Sequence, residues 1–204
     1  KTPHFFKANE FNKINKDNVS VAFPKNSFYK DVYFDFNYDD MIVKLHNKGT
    51  PIHKRFTLTF NVSDYPVKDR KKLIIAEINK KGRLSYVTTR RKENKIYTTS
   101  KSLGSFIIAI DTVKPKIKPI NFKNNKNLAK YRYLKVKISD NLSGIKSYRG
   151  EIDGKWILFE YDAKRRLLTY DFNDSKLEGK KHTLKVTAVD NVNNTNTYIA
   201  TFYK

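Results

Sequence analysis

Asp140-Asn-Leu-Ser-Gly-Ile-Lys-Ser-Tyr-Arg-Gly-Glu-Ile-Asp-Gly-Lys-Trp156 is the stretch whose reading decides the fold. Asp140-Asn141 closes one strand and opens a tight turn, and Asp153-Gly-Lys155 makes a second turn ahead of Trp156. Its counterpart near the C-terminus is Val189-Asp-Asn-Val-Asn-Asn-Thr195, where Asp190-Asn191 again ends a strand in a turn. Short strands punctuated in this way specify a small antiparallel β-sandwich.

The flanking segments agree. In Tyr131–Ser139, Leu134, Val136 and Ile138 alternate with Lys135 and Lys137; in His182–Asp190, Leu184, Val186 and Ala188 alternate with Lys185 and Thr187. Period-two alternation puts one face of each strand in a core and the other in water. The outward lysines also discourage edge-to-edge pairing. Upstream, Asp111-Thr-Val-Lys-Pro-Lys-Ile-Lys-Pro119 reads as an extended connector that enters the second module as an edge strand.

The first half has the same period. Strands are predicted over Val19–Phe23, Asp31–Asn37, Met41–His46, Phe56–Val62, Leu73–Asn79, Ser85–Thr89, Lys95–Thr99 and Ser105–Ile110. Only Asp64–Lys72 breaks the rhythm, and there Ser63 or Asp64 is expected to cap a short helix with Pro66 in its first turn. The predicted class is therefore all-β, with two tandem immunoglobulin-like β-sandwich domains at residues 18–111 and 112–204. Residues 1–17 are expected to be a connector from an upstream region of a longer chain.

Composition narrows function mostly by exclusion. The 204 residues contain no cysteine, so neither disulfides nor zinc–cysteine sites are available, and no apolar run is long enough to span a membrane as a helix. The net charge of +22 divides evenly: 22 Lys/Arg against 11 Asp/Glu through Asp111, and 20 against 9 after it. A specific nucleic-acid reader concentrates its excess on one face. An even spread fits either a general attraction to polyanionic surfaces or a lysine-rich solvated exterior.

Catalytic constellations are weak. His4, His46, His53 and His182 form no metal-binding spacing. His46 and His53 flank the Gly49 turn, where they either approach each other or simply face solvent. Asp140 and Asp190 offer calcium ligands but lack the spacing of a calcium loop, so turn formation is the expected role. No nucleophile elbow or phosphate-binding glycine loop occurs. The 13 Tyr and 14 Phe are expected mostly in the cores, and Trp156 in core or hairpin packing.

Ser20–Pro24 with Phe28–Tyr33, the run from Gly104 through Asp111-Thr112 to Pro115, and the second-module residues Ser139–Tyr148, Ile152–Ile157, Leu168–Phe172 and Val189–Thr195 together resemble a known region. They look like the C-terminal part of lysostaphin (LytM)-type zinc peptidoglycan endopeptidases, metallopeptidase family M twenty-three, over roughly residues 18–204. The His, Asp and His-x-His zinc ligands of that family have no counterpart here, so the resemblance implies a chain without catalytic residues, metal ligands or cofactor.

The implied role is a non-catalytic accessory module that spaces or docks a cell-wall hydrolase in the bacterial envelope, periplasmic or outer-membrane-associated. Its partners would be an upstream catalytic module and peptidoglycan or another anionic envelope polymer. The alternative is a structural subunit of a multi-protein envelope complex; non-specific nucleic-acid binding is the third reading, with no specific nucleic acid expected. For the polymer contact, the candidates are Lys68, Arg70, Lys71, Lys72, Arg90, Arg91 and Lys92. Reversing Arg70, Lys71, Arg90 and Arg91 is expected to leave the thermal midpoint nearly unchanged, as for any exposed charges.

Overall fold

Alternation in sequence becomes alternation in burial. Leu134, Val136, Ile138, Leu184, Val186 and Ala188 are fully buried, while the lysines between them are not. The computed structural model describes residues 3–204, which divide into two units, one ending at Asp111 and one spanning Thr112–Lys204.

The first unit contains β1 (His4–Phe6), β2 (Asn12–Lys16), β3 (Val19–Phe23), β4 (Val32–Phe34), β5 (Phe36–Asp39), β6 (Ile42–Leu45) and β7 (Phe56–Asn61). After a single helical turn, α1 (Val67–Arg70), come β8 (Leu73–Ile78), β9 (Leu84–Val87), β10 (Arg90–Lys92), β11 (Lys95–Ser100) and β12 (Gly104–Ile110). One sheet has the order β10-β11-β7-β3-β2, the other β5-β6-β12-β8-β9, and β1 pairs with β4 as a separate ribbon. Phe6, Phe23, Phe28, Phe34, Phe56 and Phe106 fill the space between the sheets. Their rings meet at 4.8–6.1 Å, within the usual range for aromatic pairs.

The second unit contains β13 (Lys116–Pro119), β14 (Lys126–Asn127), β15 (Tyr133–Ser139), β16 (Ile145–Ile152), β17 (Lys155–Ile157), β18 (Glu160–Asp162), β19 (Leu167–Asp171), β20 (Lys181–Asp190) and β21 (Thr195–Tyr203). Its two sheets run β13-β15-β19-β18 and β14-β21-β20-β16-β17 and share one core. The β16–β17 hairpin turns through Asp153 and Gly154 at φ 51° and 79°. Both central residues therefore sit in the left-handed region, as a type I′ turn demands.

Three expectations need correction. Residues 1–17 are not a connector: β1 pairs with β4, β2 pairs with β3, and both Phe6 and Ile14 are buried in the core (Lys1 and Thr2 lie outside the described residues). In Asn12-Lys-Ile-Asn-Lys16 a single apolar residue gave no period to read. The span Asp31–Asn37 divides at Asp35, whose backbone exchanges hydrogen bonds with His46 instead of continuing one ladder. The helix begins from Pro66, with no side-chain cap; Ser63 Oγ turns instead to Asp64. Of the two settings expected for Trp156, core or hairpin, the structure gives the hairpin: it lies on β17 and is 58% exposed.

Candidate functional site

A broad concave surface of the first unit lies on the outer face of the β10-β11-β7-β3-β2 sheet. Inward residues of its two central strands are large (Val19, Val21, Phe23; Phe56, Leu58, Phe60), and alternation leaves Ser20, Ala22, Thr57 and Thr59 outside. Register then builds rows across the sheet. Lys13, Ala22, Thr57 and Thr99 form one row, and Asn15, Ser20, Thr59, Tyr97 and Arg90 the next. A third contains Asn61, Lys95 and Lys92.

Small side chains at the centre and long ones at both margins make a trough. Phe11, Lys13 and Asn15 form one wall; Tyr97, Lys95 and Lys92 form the other. At ~4.8 Å per strand interval, the walls on β2 and β11 stand about 14 Å apart. The trough encloses about 700 Å³. Among the described residues, the hydroxyls of Ser20, Thr57 and Thr59 make no hydrogen bond within the protein, which leaves them to water or a ligand. Asn18 closes one end, fixed by the Tyr38 hydroxyl at 2.7 Å and by its own bond to the Asn61 carbonyl. Phe11 is 62% exposed at the margin.

The charge of this surface is lopsided. Lys13, Lys92, Lys95 and Arg90 stand on it or at its rim, against Asp17 as the carboxylate of the lining. The walls supply aromatic faces, the floor hydroxyls, the rim ammonium groups and the ends amides. That combination can hold a polyhydroxylated, negatively charged chain. It offers no pair of carboxylates of the kind glycoside hydrolysis uses.

The predicted polymer contacts separate into two groups. Arg90 and Lys92 lie on β10, directly opposite Tyr97 and Lys95, and so join the trough. Arg70 is instead consumed internally: Nε donates to the Tyr65 carbonyl (2.9 Å), Nη1 to Asn94 Oδ1 (2.7 Å) and Nη2 to the Ser63 carbonyl (2.6 Å). Arg91 points to the opposite face of β10, donates to the Leu73 and Thr89 carbonyls, and has its pKa lowered by burial. Lys68 is an exposed residue of α1, Lys71 follows as its C-terminal cap, and the Lys72 carbonyl accepts from Asp111 N–H. The expectation that reversing Arg70 and Arg91 costs no stability is thus corrected; these guanidiniums stitch loops together.

Phe11, Lys13 and Asn15 escape sequence reasoning, because β2 carries a single buried apolar residue and resembles a connector. Ser20, Ala22, Thr57 and Thr59 were within reach: they are the small outward residues of two correctly identified strands.

The remaining candidates have structural roles. His182 has a fully buried ring whose Nδ1 lies 2.7 Å from Asp153 Oδ2, and it packs on Phe202. His46 engages Asp35, while His53 packs its ring on Tyr29, so the two do not form a pair. Asp190 Oδ1 accepts the Val192 and Asn194 amides at 2.9 and 2.7 Å, and Asp140 Oδ2 accepts those of Leu142 and Gly144 at 3.0 and 2.8 Å. The two carboxylates come within 4.8 Å of each other, and the backbone N–H groups offset the like-charge repulsion.

Residues 3–111 match the Zu5-like domain family, more than half of the chain. Among solved structures, the fibronectin(III)-like modules of Clostridium thermocellum CbhA are similar at 12% identity, with a TM-score of 0.35, over 74% of this chain and 85% of that one. No curated protein matches the chain.

Proposed function

The chain belongs to the Zu5-like domain family, and from that premise we propose that it is a non-catalytic accessory module that holds an envelope protein against an anionic glycan. The observation that carries this reading is the trough over β2, β3, β7 and β11, with its free hydroxyls, aromatic margins and cationic rim. The polymer that suits it is an extended, carboxylate-bearing glycan such as peptidoglycan, lying along the strands in the bacterial cell envelope. A lysostaphin (LytM)-type endopeptidase is the proposed parent or partner, on the strength of the second-module residues quoted above.

Physical division of labour follows from the surface. The rim cations attract the polymer over about 8 Å at physiological salt, beyond which screening removes the pull. The floor hydroxyls and aromatic margins act only on contact, so they set what stays bound. Binding by charge alone should therefore vanish at about half-molar salt, whereas binding in the trough should persist in part.

The test is sedimentation with purified peptidoglycan sacculi at low and half-molar salt. Wild type should pellet under both conditions and release no muropeptides. Ser20→Trp, which fills the trough from a position outside the core, should lose the salt-resistant fraction. Equal pelleting by wild type and Ser20→Trp would remove the trough from the account. Release of muropeptides would overturn the non-catalytic reading.

A further inference from the structure

A second cleft, on the outer face of the other sheet of the first unit, has a different chemistry. It encloses about 530 Å³, and its lining includes Lys44, His46, Lys48, Glu77, Lys80 and Gly104. Register explains how the residues converge. Lys44 on β6 lies opposite Ser105 on β12, and Ser105 lies opposite Ile78 on β8, just before the Asn79–Arg83 turn that carries Lys80.

One end of the cleft is built at conformational cost. His46 has φ 42°, in the left-handed region that a β-carbon disfavours, and is held there by its N–H to the Asp35 carbonyl at 2.8 Å. Its ring stacks on Phe34, and the Asp35 amide donates to Nδ1 at 3.2 Å. In the tautomer that accepts this bond the proton sits on Nε2, the nitrogen left for a ligand. The Asp35 carboxylate also lies 3.0 Å from Nδ1. Gly104, which also lines the cleft, has φ 149°, a backbone conformation that side-chain-bearing residues rarely adopt. Strain of this kind persists where surrounding structure enforces it, and it gathers at ligand sites.

The cations are unequally engaged. Lys48 is paired with Glu77, which leaves Lys44 and Lys80 without an acidic partner among the described residues. We propose that this cleft is a binding site for a phosphate monoester dianion, gripped by Lys44, Lys80 and His46. Two ammonium groups and an imidazole N–H match the two charges and three acceptor oxygens of a monoester. A diester carries one charge and exposes two such oxygens, so it is the poorer fit. The site is separate from the glycan trough and does not depend on that reading.

The probes are glycerol 1-phosphate and diethyl phosphate, titrated into the intact chain by calorimetry and by amide chemical shifts at pH 7.5. The monoester should bind saturably, with shifts at Lys44, His46, Lys80 and Gly104, and the diester about tenfold more weakly or not at all. Lys44→Ala with Lys80→Ala should weaken the monoester by about tenfold or more, whereas Lys68→Ala with Lys71→Ala, which removes equal charge elsewhere, should not. His46→Asn, which tolerates the left-handed backbone, should weaken it as well. Vesicles with and without phosphatidic acid then separate a lipid headgroup from a free or polymer-borne phosphate as the source. Both substitution pairs weakening binding equally, or shifts scattered over the surface, would overturn the proposal. Retention of monoester binding by Ser20→Trp keeps this site distinguishable from the trough.

Discussion

Gly150 sits in the middle of β16, opposite Ile157 on β17, where the second core has no room for a methyl group. A Cβ on Gly150 would lie 2.3 Å from Phe159 Cε2, 2.5 Å from its Cδ2 and 3.0 Å from Ile157 Cγ1. The backbone there is ordinary for any residue, so the penalty of Gly150→Ala is purely one of overpacking. Phe159 is 4% exposed and meets Tyr170 edge-to-face, so its ring cannot swing into solvent without leaving a void. Forcing one methyl group into a filled core costs about 1–3 kcal/mol. For a module of this size that corresponds to a fall in Tm of roughly 4–24 °C, at ~4–8 °C per kcal/mol. The chain's single tryptophan, Trp156, neighbours this site, so its fluorescence reports the second unit's transition alone. Gly150→Ala with Phe159→Leu should recover a large part of the loss, which makes the double-mutant cycle non-additive. Gly49→Ala, where the nearest atom is 3.5 Å away, should leave stability level or slightly higher. An unchanged transition in Gly150→Ala, or additivity in the cycle, would refute the packing argument.

Further outcomes follow from the hydrogen-bond geometry. Arg70→Ala should destabilise the first unit by about 1.5–3 kcal/mol in urea titration, since three charge-assisted bonds to loop groups vanish, while Lys71→Ala should be near neutral. Asp190→Ala should cost about 3 kcal/mol or more, because three donors lose their acceptor in a buried turn, and the Trp156-monitored midpoint checks it. Asp153 is a question of sign: burial alone would raise its pKa, but the His182 hydrogen bond, the Thr183 amide and the nearby charges together hold it below 3.8. A carboxylate depressed in the folded state contributes stability above its unfolded pKa, and that contribution drains away as pH falls below it. Asp153→Asn should therefore flatten the loss of second-unit stability between neutral pH and pH 3, measured as the denaturant midpoint.

The second module was more legible in sequence than the first because its turns are chemically explicit. Asp140, Asp153-Gly154 and Asp190-Asn191 mark strand ends through residues that bond their own backbone, and Leu134/Val136/Ile138 show an unbroken period. In the first unit, β2 holds one buried residue, Ile14, between exposed lysines and asparagines, a pattern shared with linkers. β10 is three consecutive cations, Arg90-Arg-Lys92, and pairs only because β11 offers it an edge. The same step sorted the predicted contacts. Arg91 and Arg90 are adjacent in sequence but point to opposite faces, so one is structural and the other lies on the trough. Charge runs show that a surface is basic; the register decides which cations share it.

The account rests on the trough as the site of glycan contact, and the most direct measurement is amide chemical-shift mapping with soluble peptidoglycan glycan fragments at half-molar salt. Long-range attraction is screened there, and only contact interactions remain. Shifts should concentrate at Asn15, Ser20, Thr57, Thr59, Asn61 and Tyr97, with Tyr97→Ala weakening affinity about three- to tenfold through loss of one aromatic face. Shifts confined to Lys68–Lys72, spread evenly over both units, or absent altogether would contradict it.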